Sequence, residues 1–187
     1  MKLLTAALLV LFLSPQTLHW EPQDALEFEE EKIPWRADRK LTWADFKGTP
    51  NGPEDFVAST NSGVSFSYSY RETNGVGKVE YSVLSNFYPQ LSWYRPSKVT
   101  DYILAHEQMH FDISELHARK LRKAMEDIPH NRDFKGNSET LYNQAEEDRR
   151  TMQKQYDLDS DHSNNRDEEF KWRAYVAKEL KVYERWK

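Results

Sequence analysis

The chain has 187 residues, a length that suits one domain built on a single core. Its net charge is −5, with the basic residues scattered among acidic ones, which excludes the concentrated positive footprint of a nucleic-acid-binding protein. It contains no cysteine, so neither a disulfide framework nor a cysteine-linked lipid anchor is expected, and an exported domain must stand on its own core or on a metal.

Met1-Lys2 followed by the apolar run Leu3 to Leu13 has the form of a signal peptide and is too short to span a bilayer, which takes about 20 residues. Residues 1–20 are therefore expected to be a removed leader, with the mature protein periplasmic or extracellular and no membrane span. Residues 21–39 are acidic and without period, and read as a lead-in to a single domain over 40–187. Leu41-Thr-Trp-Ala-Asp-Phe46 reads as a short strand or turn, and Gly48 to Pro53 is dense in turn formers.

Val64, Phe66, Tyr68 and Tyr70 alternate with serines, and after Asn74-Gly75 the alternation resumes at Val79, Tyr81 and Val83. This predicts an antiparallel hairpin with one aromatic face on a core and one small, polar face outward. A long helix is predicted from about Thr100 to Ile128, stopped by Pro129. A second is expected from Ser138 to about Tyr156, and a third from about Asp167 to Trp186, with Phe170, Trp172, Val176, Leu180 and Tyr183 as its apolar stripe. Strands first and helices after make the fold class α+β.

The first long helix carries His106-Glu-Gln-Met-His110. Histidines four apart lie roughly 40° apart on one helix face, so both imidazoles can reach one ion. A catalytic zinc takes three protein ligands and leaves its fourth position to water. Glu107, about 100° round from His106, can reach that water without binding the metal. The competing reading is an ordinary amphipathic helix. Against it, Ile103, Met109, Ile113, Leu121 and Ala124 share the histidines' face, and two buried imidazoles need a partner that a shared Zn2+ would supply.

The third ligand is not evident from the helix itself. His117 points along the same face but lies roughly 13 Å from the pair along a continuous helix, and reads as a packed core residue. Asp112 points away, as a support or a solvated residue. Two sources stay open: a second-helix carboxylate, Glu146 or Glu147, or His162 in the polar segment before the third helix.

The residues His106 to Ile113 with Ala118-Arg-Lys-Leu-Arg122, the upstream Leu41 to Phe46, and the downstream Tyr156-Asp157, Ser160 to Ser163, Asn165, Glu169 and Trp172 resemble the bacterial family called domain of unknown function 922. That family is described as secreted zinc-dependent proteases. Ser160, Ser163 and Glu169 stand where it tends to have threonine, glycine and glutamine. The resemblance implies His106, His110 and His162 as zinc ligands and Glu107 as general base.

The expected function is thus a secreted zinc metallopeptidase with a zincin-like fold, acting on a peptide or protein, with Tyr156 as a further donor to the developing oxyanion. An extended peptide would add itself to an exposed sheet edge. The alternative is a non-catalytic envelope protein in which a fourth ligand, Asp157 or Asp161, closes a structural zinc site. A zinc hydrolase acting on a non-peptide or cell-wall amide is not separable from the first reading by sequence.

Overall fold

The computed structural model describes residues 31–187; the expected leader and most of the lead-in lie outside the described residues. The fold is mixed α+β. Strands β1 (Ile33–Pro34), β2 (Ala58–Ser59), β3 (Ser62–Thr73), β4 (Val76–Phe87) and β5 (Trp93–Tyr94) precede helices α1 (Asp101–Glu126), α2 (Phe134–Ser160) and α3 (Arg166–Val182). The antiparallel sheets have the orders β1-β4-β3 and β2-β5. No helix among the described residues is long and apolar enough to cross a membrane.

The hairpin forms because Asn74 and Gly75 both take left-handed backbone, φ 52° and 78°, the turn that matches the twist of two paired strands. Its register sets Phe66 opposite Val83, Tyr68 opposite Tyr81 and Tyr70 opposite Val79. Val64 and Val83 are buried with Ala118, Leu121 and Met125 of α1, and Phe66, Tyr68, Val79 and Tyr81 pack against that cluster. The alternation expected from the sequence is therefore the alternation observed.

Trp43–Asp45 is a single 3₁₀ turn, begun where the Asp45 carboxylate accepts from the Thr42 N–H at 2.8 Å. Leu41 and Phe46 on either side of it bury against Phe87 and Phe111. The Leu41 N–H donates to Gln108 Oε1 at 2.7 Å, and Trp35 Nε1 donates to Asp112 at 2.7 Å. Gln108 and Asp112, on the far side of α1 from its histidines, thus anchor the segment that leads into the domain. The last residues of the lead-in belong to the fold: Ile33 pairs with Phe87, and Ile33 and Trp35 pack on the Phe87 cluster.

α1 is central and buried along 106–119 except at His110 and Asp112. Thr100 caps it by accepting from the Ile103 N–H, which satisfies a free helix-terminal donor. The second helix begins four residues earlier than expected, because Phe134 is fully buried against Tyr68 and Tyr81 and this packing outweighs the unfavourable Gly136. It also ends four residues later, at Ser160. That last turn carries Asp157 into the interior.

Candidate metal centre

His106 and His110 stand on successive turns of α1 with ring centroids 5.1 Å apart. Facing them, Asp157 places Oδ1 3.3 Å from His106 Nε2 and 3.0 Å from His110 Nε2. Among the described residues, these three side chains form a group able to share a cation, their ligand atoms all within 4.8 Å of one another. Atoms bound tetrahedrally to zinc at about 2.0–2.2 Å stand roughly 3.3 Å apart. The spacing from Asp157 to each imidazole matches that separation, so the donor set fits zinc.

Two helices create the arrangement. Along α2, Gln153, Tyr156, Asp157 and Ser160 follow the three-and-four spacing of one helical face. Gln153 donates to the His110 carbonyl at 2.8 Å, which docks α2 on α1 beside the site. Tyr156 is fully buried, stacked on the His106 ring at 4.6 Å and edge-on to His110 at 5.3 Å. α3 supplies the rest: Glu169, fully buried, lies 2.9 Å from His106 Nδ1. It also accepts from the Tyr156 hydroxyl at 2.5 Å and from Arg173 at 2.7 and 2.9 Å.

These contacts fix the charges. Burial alone would push the Glu169 and Asp157 carboxyls up, but hydrogen bonds to His106 with Tyr156 and Arg173, and to His106 with His110, outweigh it and hold both below their ordinary values. Burial opposes a charge on His106 as well, yet Asp157 and Glu169 raise it to about 9. An ionised carboxylate only accepts, so without a metal His106 carries a proton on both nitrogens, Nδ1 toward Glu169 and Nε2 toward Asp157, and a cation bound between His106 and Asp157 would take the place of the Nε2 proton. This is the carboxylate–histidine pairing by which metal-binding imidazoles are oriented.

Beside the cluster lies a cavity of about 220 Å³ whose wall includes His106, Glu107, His110, Gln153, Asp157, His162 and the continuous segment from Asp55 to Thr60. Glu107 is 5 % exposed, and its Oε2 is buried without a hydrogen-bond partner. Such an orphan is costly in a folded protein unless a ligand or water serves it.

The sequence-predicted residues are not all brought together. His106, Glu107 and His110 meet as expected. Asp157, which the sequence offered only as a fourth ligand closing a structural site, is the third member of the cluster. His162 lines the same cavity, but its ring is exposed and set edge-on to Phe56 at 5.0 Å, outside the three-residue cluster. Tyr156 does not line the cavity, and its hydroxyl is bonded to Glu169 behind the His106 ring. Glu146 is bidentate to Arg149 and accepts from the Val64 N–H at 3.0 Å, tying α2 to the edge of β3. Glu147 is exposed. His117 is buried with Nε2 3.4 Å from Met152 Sδ, a packed core residue. Glu169 entered the sequence reading only through the family resemblance and was given no part in the site, because three successive acidic residues at a helix start look like charges for the helix terminus.

No curated protein and no solved structure matches the chain. The family model described as "Bacterial protein of unknown function (DUF922)" matches residues 37–163, which takes in β2 to β5, α1, α2 and the whole three-residue cluster. This match spans more than half of the sequence, and the chain belongs to that bacterial family.

Proposed function

We propose that this protein is an exported zinc-dependent hydrolase that cleaves peptide bonds, with His106, His110 and Asp157 holding the metal and Glu107 as general base. The observation that carries the reading is Glu107 Oε2, buried without a partner in the wall of the cavity that the two histidines and Asp157 share. A zinc held there would lower the pKa of a bound water toward about 7 and polarise a carbonyl. Glu107 takes a proton from the water as its oxygen adds to the carbonyl carbon. When the carbon–nitrogen bond breaks, Glu107 returns that proton to the leaving amine, so the products are an acid and an amine. Glu169 and Tyr156 keep the His106 ring fixed throughout.

A closed structural site uses four protein ligands. Three candidate ligand atoms beside a cavity and an unpartnered carboxylate favour catalysis over the structural alternative. A peptide as substrate is supported by β2. Arg95 N–H donates to the Val57 carbonyl, and Ala58 lies opposite Tyr94. Antiparallel alternation therefore turns the Ala58 backbone groups away from β5, on a strand that runs along the cavity. An extended chain can pair with that edge.

The test is to load the protein and its Glu107→Gln variant with zinc and assay both on a peptide library. One zinc per chain in both, with cleavage by the wild type alone, is expected. Zinc in both with cleavage by neither would replace this reading with the structural one, and absence of bound zinc would refute both.

A further inference from the structure

We infer that His162 donates a hydrogen bond to the substrate's carbonyl oxygen during hydrolysis, an assignment that rests on the hydrolase reading above. When water adds to the carbonyl carbon, negative charge develops on the carbonyl oxygen, and catalysis of acyl transfer depends on a fixed donor aimed at that charge. Among the described residues, no lysine, arginine or tyrosine lines the cavity. Of the donors that do, Thr60 is bonded to the Glu107 carbonyl and Gln153 to that of His110, while the Nε2 atoms of His106 and His110 face Asp157. Ser59 and Ser163 carry short hydroxyls. The one long donor left is the His162 imidazole, which presents an N–H in either charge state.

The backbone holds this imidazole in an unusual way. Asp161, His162 and Ser163 all take left-handed backbone, φ 48°, 49° and 74°, a conformation that a non-glycine residue adopts only where surrounding structure enforces it. The enforcement comes from the turn that bears Asp157: His162 N–H donates to the Asp157 carbonyl at 3.0 Å, and Asn165 N–H to the Ser160 carbonyl at 2.7 Å. Core packing does not explain it, since His162 is exposed. Its ring instead meets Phe56, which arrives from the segment leading into β2. The contact sets the imidazole at the rim of the cavity, beside the strand on which a substrate would lie.

The step balances without His162 giving up its proton: Glu107 takes the water's proton and passes it to the amine, while His162 hydrogen-bonds the charged oxygen and releases it when the carbonyl re-forms. His162→Ala and His162→Gln in the full chain test the assignment. Three readouts are needed: zinc per chain, kcat and KM on a fluorogenic peptide from the library, and affinity for a phosphonamidate peptide that mimics the tetrahedral oxyanion. Expected are unchanged zinc content, a kcat about 100-fold lower for His162→Ala with KM little altered, weaker phosphonamidate binding, and partial recovery in His162→Gln, which keeps an N–H donor. Loss of zinc in His162→Ala would make His162 a ligand and overturn the inference. Unchanged kcat and phosphonamidate affinity, with an active wild type, would also overturn it while leaving the hydrolase reading intact. A zinc-loaded wild type that cleaves nothing would remove that reading and this inference together.

Discussion

Replacing Glu169 by alanine removes a side chain that serves three partners, and the loss can be apportioned. Its oxygens accept from the Tyr156 hydroxyl, from Arg173 and from His106 Nδ1. Tyr156 is fully buried, so its orphaned hydroxyl costs about 1–3 kcal/mol. The Arg173 side chain is 23 % exposed and can turn part of its guanidinium to water, which discounts its share. With the His106 N–H also unserved, the metal-free protein should lose about 3–5 kcal/mol, the usual range for breaking a buried charge pair. Zinc affinity should fall about 10–100-fold through loss of the group that orients His106. Glu169→Gln retains an acceptor and should lose less on both counts. Denaturant unfolding of the chelated protein and zinc titration with a competing chelator measure the two effects separately. If Glu169→Ala bound zinc like the wild type, the orienting role assigned to α3 would be refuted, whatever its stability.

Burial, followed by Lys120, lowers His117 from 6.5 to about 4. The unfolded chain therefore binds a proton in that window that the folded chain refuses. Stability should fall as pH drops from about 6.5 to about 4, by roughly 3 kcal/mol for this residue, and His117→Leu should flatten that limb in acid-unfolding curves. Ser163→Gly relieves a left-handed residue, φ 74°, and should raise the unfolding midpoint by an equivalent of up to about 1 kcal/mol. Phe134→Ala empties a fully buried site between Tyr68 and Tyr81 and should cost about 3–5 kcal/mol in denaturant unfolding. A cost under 1 kcal/mol would show that this packing does not set the start of α2.

The elements whose signal is local were legible in the sequence. Alternating aromatics and serines around Asn74-Gly75 specify the hairpin, and the capped, Pro-stopped stretch specifies α1 with His106, Glu107 and His110 on one region of its surface. What was not legible depends on partners distant in the chain. Asp157 lies in Asp157-Leu-Asp-Ser-Asp161, whose charges look like a loop. They continue the helix because Asp157 meets two imidazoles and Asp159 accepts from Trp172 Nε1 at 3.0 Å. The third acidic residue of α3 differs from Asp167 and Glu168 only in facing His106, which no periodicity reveals. His162 entered as a ligand through the family resemblance, with Glu146 and Glu147 left open by the residues themselves; the fold sets it in the cavity wall against Phe56, outside the three-residue cluster.

The central claim is that His106, His110 and Asp157 hold a zinc beside Glu107. Anomalous diffraction at the zinc edge, from crystals of the zinc-loaded protein, tests it most directly. One peak is expected about 2.0–2.2 Å from Nε2 of His106, Nε2 of His110 and a carboxylate oxygen of Asp157, with Glu107 turned toward it but not bound. A peak coordinated by His162 in place of Asp157, or none at the histidine pair, would contradict it.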